Sequence, residues 1–355
     1  MSAVGDAVGD ATGWPSVSVI MPILAEERHL ADAVARVLAQ DYPGPLEVVL
    51  AVGPSRDRTQ DIAAQLAATD PRVRWVPNPS GRTPDALNAA LRSAAHDVIV
   101  RVDGHAELSD GYIATAVRHL DATGAVNVGG VMDAQGTTAF ERAVACAMRS
   151  RIGVGAARFH TGGGAGPADT VYLGVFRRRT LLEAGGYDPH FARAQDWELN
   201  HRLRQAGGVV WFTPDLRVTY RPRSSVRALA KQYLQYGRWR RVVASRHAGT
   251  INPRYLAPPA MVVATTAATV AGAASPRARG LLAVPAAYLA TITVGGWAVS
   301  RSEPPATRAL LPVVLATMHW SWGVGFLTSP RRLRDVPTRD RDVIREPARP
   351  RDGEA

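Results

Sequence analysis

Val17-Ser18-Val19-Ile20-Met21-Pro22 opens the stretch that decides the fold, residues 17–102. It is a short apolar run ended by Pro22, the pattern of a strand buried on both faces of a parallel sheet. The spacing predicts a helix over Glu26–Gln40, with Leu30, Val34, Val37 and Leu38 on one face. Leu46–Val52 is the next strand, and Ser55-Arg56-Asp57-Arg58-Thr59 opens a second helix that ends before Pro71. Arg72–Val76 is a third strand, Thr83–Ala94 a third helix and Asp97–Val102 a fourth strand. This alternation predicts an α/β fold with a doubly wound, mostly parallel sheet. Ligands of such sheets sit beyond the carboxyl ends of the strands. Three polar clusters fall there: Ala25–Glu27, Gly53–Asp57 and Asp103–His105.

Further along, the alternation weakens. A strand near Ala125–Val131 precedes an amphipathic helix around Phe140–Arg151, and the Gly-rich stretch Gly153–Gly166 is expected to be a mobile loop. A strand at Val171–Phe176, helices at Arg179–Ala184 and Asp196–Ala206, and a strand at Val209–Thr213 follow. Ser224–Ser245 is a long basic helix with Leu229, Tyr233, Tyr236 and Val243 on its apolar face, expected to lie on a bilayer surface. Beyond it come three apolar runs, Leu256–Ala274, Gly280–Ser300 and Ala306–Thr328. Each approaches the roughly 20 residues a helix needs to cross a bilayer.

The net charge of +11 over 355 residues comes almost wholly from arginine, Lys231 being the one lysine. No aromatic–basic recognition motif accompanies that charge, so nucleic acid is not an expected partner. The single cysteine, Cys146, excludes an internal disulfide framework and suits a reducing compartment. Met1–Pro15 lacks the basic patch and apolar core of a signal peptide and reads as a flexible tail.

The ordered motifs now point to a family. Val17–Pro22 with Glu26-Glu27, Ser55-x-Asp57-x-Thr59, Gly81-Arg82 with Ala86-Leu87-Asn88, and Asp103-Gly104-His105 resemble those of family 2 glycosyltransferases with the GT-A fold. Phe176-Arg177-Arg178, Gly185-Gly186-Tyr187-Asp188 and Gln195-Asp196-Trp197-Glu198-Leu199 with Arg202-Leu203 resemble its acceptor-side block. Gln235-Tyr236-Gly237-Arg238-Trp239 resembles its Gln-x-x-Arg-Trp motif. The Arg-Val-Asp-x-His-Ala phrase at 101–106 and the apolar C-terminal runs resemble the ExoA-type glycosyltransferases of succinoglycan biosynthesis.

The resemblance implies a tail at 1–15, a GT-A domain at 16–223, an interfacial helix at 224–254, a membrane region of two to three helices at 255–328 and a basic tail at 329–355. It implies a nucleotide-diphosphate sugar donor bound by Pro22, Glu26, Ser55, Asp57, Arg82, Asn88 and Asp103. Asp103 and His105 would hold a divalent cation, Mn²⁺ or Mg²⁺, against the leaving diphosphate. The family's usual Asp-x-Asp is here Asp-x-His, which favours Mn²⁺. Tyr220 stands where relatives often supply a further metal-binding histidine. Asp196 would be the general base of a single, inverting displacement, although the start of a helix ordinarily lowers a carboxylate's pKa. Gln235, Arg238 and Trp239 would meet acceptor or diphosphate, with an interfacial anchor as the other reading of Arg238 and Trp239. Val52 and Ala25 replace the aspartate and asparagine common in the family's nucleobase pocket.

The expected setting is the cytosolic face of the inner membrane, with a lipid-linked or other glycan acceptor and membrane lipids as partners. The expected role is exopolysaccharide or cell-envelope assembly. A polyprenyl-phosphate sugar synthase and an inactive membrane scaffold are the alternatives. Oligomeric state, and the side of the membrane taken by the basic tail, stay open.

Overall fold

The computed structural model describes residues 13–334, so the expected tails lie outside it over residues 1–12 and 335–355. The described chain forms two compact units. One holds residues 13–130 and Gly164–Val218, and the other holds Val131–Gly163 and residues 219–334. Residues 131–163 group with the C-terminal helices.

In the first unit, β1 (Val17–Ile23), β2 (Leu46–Val52), β3 (Val73–Pro77) and β4 (Val98–Arg101) run parallel in the order β3-β2-β1-β4. Helices Leu30–Leu38, Thr59–Thr69 and Thr83–Ser93 connect them. Pro22 does not end its strand. It lies within β1 opposite Ala51, whereas pairing with β4 stops at Ile20–Arg101, so its missing N–H costs no bond on that side. Side chains of β1 alternate between two cores. Val17, Val19 and Met21 pack with Leu30, Val34, Val37 and Tyr112, while Ile20 packs with Leu87, Leu91, Tyr187 and Leu199. Burial on both faces explains the continuous apolar reading of the strand.

The rest of the sheet comprises β5 (Glu107–Leu108), β6 (Asn127–Ala134), β7 (Gly166–Pro167), β8 (Tyr172–Arg177) and β9 (Val210–Tyr220). Its order continues from β4 as β8-β6-β9-β5, with β7 beside β9. The strand β8 is antiparallel to both β4 and β6, so the sheet is parallel in its first half and mixed as a whole. The order reverses between β1 and β4, and that switch point places the loops after these two strands side by side. A helix at Tyr112–Thr123, absent from the sequence-based expectation, packs Tyr112, Ile113, Ala116, Val117 and Leu120 into the core.

The second unit is helical. The expected loop at Gly153–Gly166 contains the short helix Arg158–Thr161 and overlaps the end of another at Arg151–Val154. The helix Val226–Arg246 packs along Pro305–Leu327. Two glycines permit that approach: a Cβ on Gly237 would overlap the Trp322 carbonyl, and one on Gly325 the Leu234 carbonyl. The basic helix is thus committed to a helix partner along this face, not only to a bilayer surface. Pro253–Ala274, Pro276–Val299 and Pro305–Leu327 are each long and apolar enough to cross a membrane. Val263, Val270, Leu289, Val294 and Trp297 lie exposed on these segments, as lipid-facing side chains would.

Candidate active site

The loop after β1 carries Glu26 and the loop after β4 carries Asp103 and His105, all at the switch point. Gly104 lets the two loops close, since a Cβ there would meet Ile23 and the Glu26 side chain at 2.9 and 3.1 Å. His105 Nδ1 and Glu26 Oε1 are 2.7 Å apart, and His105 remains 52% exposed. Glu26, expected as a donor contact, is therefore engaged with the expected metal ligand.

Arg101, the last residue of β4, is the centre of the charged cluster, and its side chain is only 4% exposed. Its Nη2 donates to Asp103 Oδ1 at 3.0 Å, and its Nη1 donates to Asp196 Oδ1. One guanidinium thus holds both carboxylates that the motifs single out. Asp196 occupies the first turn of helix Gln195–Gln205, which starts from Ala194 in the left-handed region at φ 60°. Burial raises the Asp196 pKa, with the negative charge of Asp103 adding and Arg101 opposing. The helix-start effect expected to lower it is outweighed by desolvation. The Arg101 pKa is held well above its ordinary value despite burial, by Asp103 and Asp196.

The Asp196 helix is anchored from behind. Arg202 forms a forked pair with buried Glu198, at 2.8–3.0 Å, and also donates to the carbonyls of Ala184 and Gly186. Asn200 accepts from Asn127 at 2.6 Å and donates to Thr170 at 2.9 Å. The Gln-Asp-Trp-Glu and Gly-Gly-Tyr-Asp motifs are in this way two parts of one hydrogen-bonded structure.

Other expected contacts have roles in the scaffold. Asn88 is buried and bonded to the Tyr187 backbone, so it holds that loop. Arg82 donates to the Pro189 carbonyl. Ser55 Oγ accepts from Ala25 N–H and Thr59 Oγ1 from Glu26 N–H, each at 2.9 Å, which ties the first two loops together. The Asp57 carboxylate accepts from the Thr59 hydroxyl at 2.6 Å, and this bond leads the lowering of its pKa. Ala25 takes φ 55°, a conformation Asn tolerates better than Ala. Val52 belongs to the apolar core and offers no hydrogen-bonding group to a base.

The second unit contains Gln235, Arg238 and Trp239. Trp239, expected to meet acceptor or diphosphate, is 7% exposed. The Arg238 carbonyl accepts from Ser329 Oγ at 3.0 Å, and Tyr220 Oη accepts from Gln232 Nε2 at 2.7 Å. Arg101 was not among the expected site residues. Its signal was a lone arginine closing the apolar strand Val98-Ile99-Val100.

Among the described residues no group of three or more His, Cys, Asp or Glu side chains converges on one point. The donors available to a cation are the Asp103 carboxylate and the His105 imidazole, a mixed oxygen–nitrogen pair suited to Mn²⁺. Arg101 with Asp103 and Asp196 sums to one negative charge when both carboxylates are ionised, and Glu26 lies beside His105. The summed charge beside Asp103 and His105 is thus negative.

Residues 18–181 match the family described as Glycosyl transferase family 2. The succinoglycan biosynthesis protein ExoA of Rhizobium meliloti (strain 1021) is 30% identical over 319 residues, covering 87% of this chain and 93% of that protein. A dolichyl N-acetyl-alpha-D-glucosaminyl phosphate 3-beta-D-2,3-diacetamido-2,3-dideoxy-beta-D-glucuronosyltransferase of Methanococcus voltae is 22% identical, covering 62% and 71%. Among solved structures, the mannosyltransferase PcManGT from Pyrobaculum calidifontis, in complex with GDP-Man and Mn²⁺, superposes with a TM-score of 0.59 at 22% identity. That match covers 91% of this chain and 90% of the other, and it establishes the shared GT-A fold. With its motifs in register and an ExoA relative matched over nearly its whole length, the chain belongs to glycosyl transferase family 2, as a glycosyltransferase of the ExoA type.

Proposed function

We propose that the protein is an inverting glycosyltransferase. It moves a sugar from a nucleotide-diphosphate donor to a hydroxyl of a lipid-linked glycan, in exopolysaccharide or cell-envelope assembly at the cytosolic face of the membrane. One observation carries the reading: Asp103 and Asp196, the expected diphosphate-side and base carboxylates, meet on the Arg101 guanidinium at the switch point. The ExoA relative supports the polysaccharide role, and the three apolar helices support a membrane setting.

Asp103 and His105 would hold a divalent cation, which neutralises charge on the departing diphosphate. Asp196 Oδ1 is engaged by Arg101, leaving Oδ2 to take the proton of the acceptor hydroxyl. As that proton moves to Oδ2, the acceptor oxygen bonds to the anomeric carbon and the carbon–oxygen bond to diphosphate breaks. The diphosphate leaves with the electron pair, and configuration at the anomeric carbon inverts. Burial that raises the Asp196 pKa also makes it the stronger base. The loop ties made by Ser55, Thr59 and Asp57 hold Glu26 beside His105, on the donor side.

The test is nucleoside diphosphate release by the detergent-solubilised protein from a panel of UDP-, GDP- and dTDP-sugars, with a membrane lipid extract as acceptor source. One donor should turn over, with loss on chelation and recovery with Mn²⁺. Full activity in chelator would remove the metal role, and failure to bind any donor would favour an inactive scaffold.

A further inference from the structure

We propose that Arg101 is a positioning residue of the transfer reaction, its one guanidinium fixing the separation and orientation of Asp196 relative to Asp103. The inference rests on the reading of Asp196 as base.

Three features of its surroundings support this. Arg101 lies on β4 and pairs in register with Ile20, so its backbone belongs to the rigid centre of the sheet and not to a loop. Asp103 follows in the loop after β4, whereas Asp196 comes from a helix 95 positions further along the chain. Only a side chain reaching both can define one distance between them. The guanidinium does so with separate nitrogens, Nη2 to Asp103 and Nη1 to Asp196, a division that one ammonium nitrogen cannot reproduce with the same planar geometry. Tyr187, wholly buried and held through its backbone by Asn88, lies beside the same guanidinium.

An arginine 4% exposed at the end of an apolar strand is costly to bury unless it is paired. A structural role alone would be met by one carboxylate. Here two carboxylates assigned to opposite sides of the reaction share one cation. Asp196 Oδ1 is thereby oriented and Oδ2 left for the acceptor, while Asp103 is drawn toward the same edge of the sheet. Arg101 touches neither donor nor acceptor in this account and acts through the two aspartates.

The experiment compares Arg101→Lys, Arg101→Ala and Asp196→Asn in the full-length, detergent-solubilised protein. Donor turnover, donor KM and melting temperature are measured for each. Arg101→Lys should melt close to the wild type yet lose about 100-fold in kcat, the scale of an ångström-level misplacement of reacting groups. Guanidinium ion should restore part of the kcat of Arg101→Ala with saturation, and methylammonium should not. Arg101→Lys with wild-type kcat would overturn the proposal, as would a folded Arg101→Ala that guanidinium does not rescue. Loss of cooperative melting in both Arg101 variants would make the residue a folding element and also overturn it. The Asp196→Asn arm separates the two readings. Its undiminished turnover would remove the base assignment, whereas an inactive Asp196→Asn beside a fully active Arg101→Lys would remove the Arg101 proposal alone.

Discussion

Asn88 and Tyr187 exchange two hydrogen bonds in the buried interior. Asn88 Nδ2 donates to the Tyr187 carbonyl at 2.7 Å, and Tyr187 N–H donates to Asn88 Oδ1 at 2.8 Å. The pair fixes the Gly-Gly-Tyr-Asp turn to the helix Thr83–Ser93, from 99 positions away in the chain. Asn88→Ala should leave a buried N–H and a buried carbonyl unsatisfied, at a cost of about 2–4 kcal/mol. The check is thermal denaturation, where a fall of roughly 5–10 °C is expected. An unchanged melting temperature would show that the pair is not needed to hold the turn.

Ala25 sits at φ 55° between β1 and Glu26. A side chain in that region costs about 1–2 kcal/mol, while glycine adds about 0.4–1 kcal/mol of unfolded-state entropy. Ala25→Gly should therefore stabilise the protein by up to about 1 kcal/mol. Ala25→Asn, which tolerates this conformation without the extra chain entropy, should do at least as well. Equilibrium melting of both variants tests this, and destabilisation by Asn would show that its side chain has no room here.

Gly237 lies within the Gln-x-x-Arg-Trp motif, against the Trp322 carbonyl. Gly237→Val should force the helices Val226–Arg246 and Pro305–Leu327 apart, costing about 1–3 kcal/mol. Yield and melting temperature of the detergent-solubilised protein report it. Wild-type values would mean that these helices pack differently in the membrane.

The Asp196 pKa, raised by burial, gives a signed pH prediction. The acid limb of kcat/KM should lie above the ordinary aspartate value of about 3.9, because transfer needs Oδ2 unprotonated. The stability effect has the opposite direction. With the folded-state value raised, the native protein binds more protons than the unfolded chain in the window between the two values, so Asp196's contribution falls as pH rises through it. Asp196→Asn should lack that fall and gain stability relative to the wild type above the window. Parallel melting curves of the two proteins across the acid range check this sign.

The parallel half of the sheet was legible within one or two residues. Its strands are apolar runs bounded by Pro, Gly and Asp, and both faces are buried. The proximity of His105 to Glu26 was legible because the loops after β1 and β4 meet where the strand order reverses. Arg101–Asp196 was not legible, since nothing local in either segment specifies a partner 95 positions away. For the same reason the bonds from Asn88 and Arg82 to residues 187–189 were not legible. The burial of Trp239 was not legible, because the motif carries no information on tertiary neighbours. The helix Tyr112–Thr123 carries Tyr112, Ala116, Val117 and Leu120 at helical spacing and could have been read from the residues. The placement of residues 131–163 with the second unit depends on tertiary packing, which no local pattern encodes.

The base role of Asp196 is tested by Asp196→Asn, through donor affinity and turnover measured on the same preparation. The amide preserves size and a hydrogen-bonding oxygen for Arg101 but cannot take the acceptor proton. Donor affinity should stay within about threefold of the wild type, with turnover reduced by about 10²–10⁴-fold, the range of a lost general base. Turnover close to wild type with intact donor binding would contradict the assignment of Asp196 as the base.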